Sequence, residues 1–229
     1  MVAVVGSNGS GKTTLLSLLP RLYIPTEGRI LIDGVDTATI SVNSLRRQIG
    51  LVTQEAVLFS DTIYNNILYG TRQATNEQVM EAARRSFTDE FVRDLPQGYQ
   101  TQVGQGGTRL SGGQRQRVVL ARAILRNPST LILDEAMSQV DSDSEAKIAS
   151  ALEDFMRDRT TFIIAHRFST VMSADLVVCL DAGRIVGYGT HQELFASCMP
   201  YRRLYDTQLL VRDGAPLEKE RPYAVGALE

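Results

Sequence analysis

This sequence predicts an α/β fold with a mostly parallel central sheet, on three observations. Four short apolar runs, Val2-Ala3-Val4-Val5, Ile49-Gly50-Leu51-Val52, Leu131-Ile132-Leu133 and Phe162-Ile163-Ile164-Ala165, read as strands buried on both faces. Each run ends on something polar: a glycine-rich loop, Gln54, Asp134-Glu135 and His166, respectively. Sheets of this class bind ligands beyond the carboxyl ends of their strands, so four such ends on one edge predict a site there. The first run also leads through its glycines straight into a helical pattern.

That loop is Gly6-Ser7-Asn8-Gly9-Ser10-Gly11-Lys12-Thr13, which fits G-x-x-x-x-G-K-[ST]. Glycines let backbone N–H groups approach phosphate oxygens with no Cβ in the way, and the helix start beyond adds unpaired donors. Lys12 is placed to reach β- and γ-phosphates, and the Thr13 hydroxyl to ligate Mg²⁺. Chance alone yields such a pattern in roughly one chain in a hundred of this length. The preceding strand and the following Leu15, Leu16, Leu18 and Leu19 make a merely flexible loop a poor alternative.

Further along, Ile30-Leu31-Ile32 reads as a strand. Asn76 is a candidate cap for a helix whose Val79, Met80, Ala83, Phe87, Phe91 and Leu95 stand at near-helical spacing, as a core face would. Leu110-Ser111-Gly112-Gly113-Gln114 opens a second long helix, because Ser-x-x-Gln is a capping box ahead of Val118, Leu120, Ala121, Ile124 and Leu125. A cap alone needs no glycines, and two in a first turn cost roughly 1 kcal/mol each relative to Ala. They make sense where a phosphate must approach this helix end. The first loop holds its own nucleotide, so the second anion site most simply meets a nucleotide held by another copy. Ser111, Gly112, Gly113 and Gln114 therefore predict a dimer with ATP between subunits.

Bulk composition is compatible with that reading. At 229 residues and 43% hydrophobic, the chain can bury one large domain or a main domain with a subdomain. A net charge of −2 gives no general pull toward nucleic acid or anionic lipid. Cys179 and Cys198, in no metal-type spacing, point to a reducing compartment rather than a disulfide framework. No apolar run approaches membrane-spanning length, so a membrane role must come through another segment or partner.

With both phosphate motifs in one chain, the sequence resembles the ATP-binding cassette (ABC) ATPases, from Val2 to about Gln208; Leu110 to Gln114 looks like their signature motif. The resemblance implies a P-loop NTPase with a helical signature subdomain over about 56–128, and an incomplete N-terminal antiparallel β-subdomain. It further implies an ATP-binding domain over 1–212, followed by a loosely ordered tail over 213–229. The cofactors implied are ATP and Mg²⁺, held by Gly6 to Thr13 together with Thr14. Asp134 joins Thr13 on the metal, Glu135 is the general base for the attacking water, and Gln54 matches the Q-loop residue that contacts Mg²⁺ and water. His166 matches the switch histidine at the γ-phosphate; His191 keeps a structural reading. Ser138-Gln139-Val140-Asp141 occupies the D-loop position, where Asp141 fits the pattern and Met137, Gln139 and Val140 depart from it.

Ser44-Leu45-Arg46-Arg47-Gln48-Ile49, Gln54-Glu55-Ala56-Val57-Leu58-Phe59 and Ala165-His166-Arg167-Phe168-Ser169-Thr170 resemble the exporter-type half transporters. The implied partners are a second ABC domain, as a homodimer, and a transmembrane export domain, with the chain at the cytoplasmic face of the membrane and no nucleic acid bound. Val57, Leu58 and Phe59 are candidates for docking that domain, with core packing the alternative for each. Gln105 stands where exporters carry an acidic residue, which removes a salt bridge to the partner. The family's upstream strands and adenine-stacking aromatic do not precede Met1, and Tyr23 and Tyr64 are wrongly placed to replace it, so the expectation is a fragment or an internal start. Two competing readings are a soluble ABC ATPase acting on nucleic acid or ribosomes, and a truncated remnant that does not hydrolyse. The first wants a basic surface, whereas Arg115, Arg117, Arg122 and Arg126 read as a solvated helix face; the second is opposed by the intact motif residues. No guanine-recognition motif is present.

Overall fold

The computed structural model describes residues 1–53, 56–69, 71, 73–134 and 141–209. In chain order the elements are β1 (Val2–Gly6), α1 (Lys12–Leu18), β2 (Leu31–Ile32), β3 (Val35–Asp36), α2 (Val42–Gln48), β4 (Ile49–Val52) and α3 (Ile63–Leu68). Then come α4 (Asn76–Arg85), α5 (Thr88–Val92), α6 (Gly112–Arg126), β5 (Thr130–Asp134), α7 (Ser142–Met156) and β6 (Thr160–Ile164). The last are α8 (Phe168–Met172), β7 (Leu176–Asp181), β8 (Arg184–Gly189), α9 (His191–Ser197) and α10 (Met199–Leu204).

Six strands form one sheet in the order β4-β5-β6-β1-β7-β8, parallel except for the last pair. The four expected strands are its first four neighbours. The β4 run is not buried on both faces, since β4 is the sheet edge and its Leu51 is 46% exposed. For β1, β5 and β6 the unbroken apolar runs follow from helices on both faces: Val4, Ile132 and Ile164 pack with Leu16 of α1 and Leu45 of α2. Ala3 and Val5 face the other way, onto Val171, Leu194, Tyr201 and Leu204 of α8, α9 and α10. Alternation along one strand thus serves two apolar layers rather than a wet and a dry face.

The antiparallel piece is smaller than the expected Ile30-Leu31-Ile32 strand: β2 and β3 form a two-residue pair. Asp33 (φ 50°) and Gly34 (φ 79°) make its turn, the left-handed pair that a tight hairpin requires.

Between β4 and β5 the chain builds the expected helical part. Val79, Ala83 and Phe91 are buried, with Phe87 and Leu95 packed against them, so the spaced apolar stripe is a core face. Thr75, not Asn76, caps α4. The Thr75 hydroxyl accepts from Gln78 N at 3.3 Å while Gln78 Oε1 accepts from Thr75 N at 2.8 Å, a reciprocal box that leaves Asn76 as the first helical residue. The arginines of α6 do not form a solvated face. Arg117 is buried over the Phe91 ring, Arg115 donates to Leu110 O at 2.7 Å, Arg122 donates to Asn66, and Arg126 donates to Arg46 O. Leu58 is core, whereas Val57 and Phe59 are 58% and 41% exposed, which narrows the docking candidates to those two.

Candidate functional site

Strand register collects the site. Val52 pairs with Leu133, Leu133 with Ile163, and Ile163 with Ala3; one step on, Asp134 pairs with Ile164 and Ile164 with Val4. The ends of β4, β5, β6 and β1 therefore emerge on one edge. Asp134 closes β5, His166 stands two residues past β6, and the glycine loop starts where β1 ends. Ala165 N still donates to Val4 O at 3.1 Å, so the backbone pairing reaches to within one residue of His166. Gln54 and Glu135, as well as Ser138, Gln139, Val140 and the tail over 213–229, lie outside the described residues.

The loop has the shape that a phosphate cradle needs. Gly6 (φ 156°) admits no side chain, since an added Cβ would stand 2.4 Å from Leu180 O and 2.5 Å from Ser10 Oγ. Gly9 (φ 77°) opens onto free space, with nothing within 4 Å of the same position. Gly11 (φ 100°) stands at the N-cap of α1 with no side-chain cap bond. Lys12 is 7% exposed, and its Nζ donates to Gly6 O at 2.8 Å and to Ser7 O at 3.0 Å, so the ammonium is held over the loop. Ser10 Oγ is buried and makes no hydrogen bond among the described residues, a polar atom in want of a partner. Gly183, in the turn between β7 and β8, braces the loop by donating to Ser10 O at 3.1 Å. Thr13 and Thr14 are exposed in the first turn of α1.

This donor set fits a Mg²⁺-nucleoside triphosphate. A loop-bound ammonium and an orphaned buried hydroxyl suit phosphate oxygens, while the Thr13 hydroxyl and the Asp134 carboxylate are hard oxygen ligands of the type Mg²⁺ prefers.

The second helix start is built as expected. Ser111 Oγ accepts from Gln114 N at 3.2 Å and Gln114 Oε1 accepts from Ser111 N at 3.0 Å, with Ser111 exposed and Gly113 buried. α6 packs on α3, α4, α5, α7 and strand β4, whereas α1 packs on β1 and β6, so the two phosphate motifs open helices that rest on different strands of the sheet. Asp141 caps α7: its Oδ1 accepts from Ser144 N at 2.9 Å, a bond that holds its carboxyl below the usual range.

His166 is half-buried and lines a cavity of about 790 Å³ with Leu133, Leu152, Ile163, Ala165 and Arg167. His191 has a packing role, as its structural reading requires. Its Nδ1 is 2.7 Å from Tyr201 Oη, and Phe168, Phe195 and Tyr205 surround its ring. Sequence reasoning missed two features here. Asn66, 1% exposed, ties Phe59 to α3 and to Arg122. Arg167 donates to Glu145 Oε1 at 2.6 Å across 22 residues of sequence. The basic residue after His166 and the acidic first turn of α7 were visible, but nothing local pairs them.

A family model described as ABC transporter matches residues 1–138, more than half of the chain. The chain belongs to the ABC transporter family. Among curated relatives, the ATP-dependent lipid A-core flippase of Legionella pneumophila (strain Paris) is 52% identical over 207 residues, covering 90% of this chain and 35% of the relative. A protein of Staphylococcus aureus (strain NCTC 8325), named for multidrug export as an ATP-binding/permease protein, is 51% identical over 209 residues, covering 91% of this chain and 36% of its own. A solved bacterial Atm1-family ABC exporter with ATP bound superposes with a TM-score of 0.83 at 42% identity, over 97% of this chain and 37% of that one. The chain thus spans about a third of the length of these relatives. Among the described residues, no helix is long and apolar enough to cross a membrane.

Proposed function

We propose that this chain binds MgATP and hydrolyses it in a head-to-tail dimer, driving export through an attached transmembrane domain at the cytoplasmic membrane face. The observation that carries this reading is the shared sheet edge, where the glycine loop leaving β1, Asp134 at the end of β5 and Ala165, bonded to Val4 just before His166, emerge from adjacent strands. Relatives named for lipid A-core flipping and multidrug export support the exporter part. The ATP-binding unit is residues 1–212, with the helical subdomain over about 56–128.

In this reading the loop N–H groups and Lys12 bind the β- and γ-phosphates. Thr13, Asp134 and Gln54 would hold Mg²⁺, which would supply charge neutralisation at the phosphates. Glu135 takes a proton from the attacking water while His166 holds that water against the γ-phosphate. Ser111 to Gln114 of the second copy close over the same nucleotide, and Asp141 lies at the contact between copies. The α6 arginines are spent on intramolecular bonds, so no observation favours a nucleic-acid role.

The direct test is Glu135→Gln. The amide keeps the shape but takes no proton, so turnover falls by about 10²- to 10⁴-fold while ATP binding, followed by calorimetry, stays close to the parent's. Turnover equal to the parent's removes Glu135 from the role.

A further inference from the structure

We infer that the Arg167–Glu145 ion pair is a positioning device for His166, tying the turn that carries this histidine to the helix that Asp141 caps. The inference rests on the proposed role of His166 in ATP hydrolysis and adds residues to that site.

Three observations converge on it. First, backbone pairing of β6 with β1 ends at Ala165, whose N–H donates to Val4 O at 3.1 Å, and α8 begins at Phe168. His166 and Arg167 span the gap: Arg167 is the N-cap of α8, its carbonyl accepting from Val171 N at 3.4 Å, and His166 is the residue between the ladder and that cap.

Second, this turn is anchored from two sides by its neighbours' side chains. Phe168 packs edge-on against His191 (centroids 5.6 Å) and Tyr205 (5.1 Å), a contact that fixes the start of α8. Arg167 points the other way and donates through Nη1 to Glu145 Oε1 at 2.6 Å. The aromatic anchor belongs to the packed core around α9 and α10, so the ion pair is the anchor that reports on another element.

Third, the element it reports on starts at Asp141. Glu145 N donates to Asp141 O at 2.9 Å, so Glu145 lies one turn beyond that cap. Lower down, α7 is itself tied to the helical part, with Lys147 bonded to Glu90 of α5 at 2.9 Å and Arg85 of α4 to Asp154 at 2.8 Å. A displacement of the first turns of α7 is delivered through Glu145 to the residue adjoining His166. Arg167 acts through His166 and is a positioning residue, with no contact to ATP required of it.

The test compares the 229-residue chain with His166→Ala, Arg167→Ala, Arg167→Lys, Glu145→Gln and the reversed pair Glu145→Arg/Arg167→Glu. Steady-state ATPase supplies kcat and KM. Loss of positioning at a reacting centre appears in kcat, so Arg167→Ala and Glu145→Gln lower kcat about 5- to 20-fold at unchanged KM. A double variant, Glu145→Gln with Arg167→Ala, is no worse than either single change, as expected for one shared contact. Arg167→Lys and the reversed pair regain most of the loss.

A second readout needs no turnover. The chain has two histidines, so their ring C–H signals in NMR spectra separate into His166 and His191. Glu145→Gln shifts the His166 signal and leaves that of His191 in place. Parent-like kcat in Arg167→Ala, or a His166 signal unmoved by Glu145→Gln, overturns the inference. If His166→Ala itself turns over ATP like the parent, the hydrolytic role of His166 is what fails, and the imidazole signal still decides whether the pair positions it.

Discussion

Gly6 and Leu180 lie side by side on β1 and β7, so close that a methyl group on Gly6 would stand 2.4 Å from the Leu180 carbonyl oxygen. The glycine at the mouth of the phosphate loop is thus required by the sheet as well as by any ligand. Gly6→Ala combines a backbone clash with a φ of 156° that L residues rarely adopt, and should cost about 2–5 kcal/mol. For a domain of this size that is a fall in Tm of roughly 5–15 °C. Gly9→Ala meets open space at φ 77° and should cost only about 1–2 kcal/mol. Thermal unfolding of both variants checks this ranking; equal losses would mean that the clash is relieved by movement of the loop.

The reach of the sequence differed from element to element, for physical reasons. Buried parallel strands are continuous apolar runs, so β1, β4, β5 and β6 were legible together with the polar residues at their ends. β7 was passed over although Leu176-Val177-Val178-Cys179-Leu180 is a run of the same kind, and β8 was not picked out either. Ile185, Val186 and Tyr188 on β8 are all exposed, so this edge strand carries neither an alternating nor a buried pattern. Both glycine-bearing helix starts were legible because their chemistry is local. The partners of Arg117, Arg122 and Arg167 lie 22 to 65 residues away in sequence, and no local pattern announces such bonds. Gln54 and Glu135 lie outside the described residues, so their roles remain expectations from the motif pattern.

Shared sites would show themselves by complementation. The exposed Ser111 cap and the loop around Lys12 open helices that rest on different strands, and in the proposed head-to-tail dimer one nucleotide meets the loop of one copy and the cap of the other. A Lys12→Ala copy mixed with a Ser111→Arg copy forms one site free of both changes and one carrying both. ATPase should appear in mixtures although each variant alone has almost none, rising to a maximum near equal proportions. Absence of recovery at every ratio would argue against independent shared sites.

Arg122 holds the segment that follows Gln54. Its guanidinium donates to Asn66 O at 2.8 Å, Asn66 Oδ1 at 2.9 Å and Val57 O at 3.2 Å, and lies over the rings of Phe59 and Tyr69. Arg122→Ala should destabilise the chain by about 2–4 kcal/mol, because buried acceptors and two aromatic faces lose one cation together. Arg122→Lys restores the charge but not the planar fork and should recover less than half of the loss. Urea unfolding supplies both numbers. Limited proteolysis near Val57 and Phe59 should accelerate in Arg122→Ala, and unchanged cleavage there would show that Asn66 suffices to hold the segment.

His191 gives the fold a pH dependence whose sign follows from its surroundings. Burial among Phe168, Phe195 and Tyr205 disfavours the charged ring and holds its pKa below the ordinary 6.5. Between the folded value and 6.5 the unfolded chain binds more protons at this position than the folded one. Stability from His191 is therefore fully present above 6.5 and is lost as pH falls through the window below it. The carboxylates of Asp61, Asp154 and Glu193 are also held low by hydrogen bonds, but they start from 3.8 to 4.5 and act at more acidic pH. Urea midpoints measured between pH 5 and pH 7.5 should rise with pH in the parent chain. His191→Phe keeps a ring in the cluster, loses the bond to Tyr201 and cannot titrate, so its midpoint should be lower at pH 7.5 and flatter across the same range. A slope as steep in His191→Phe as in the parent would show that the dependence does not come from His191.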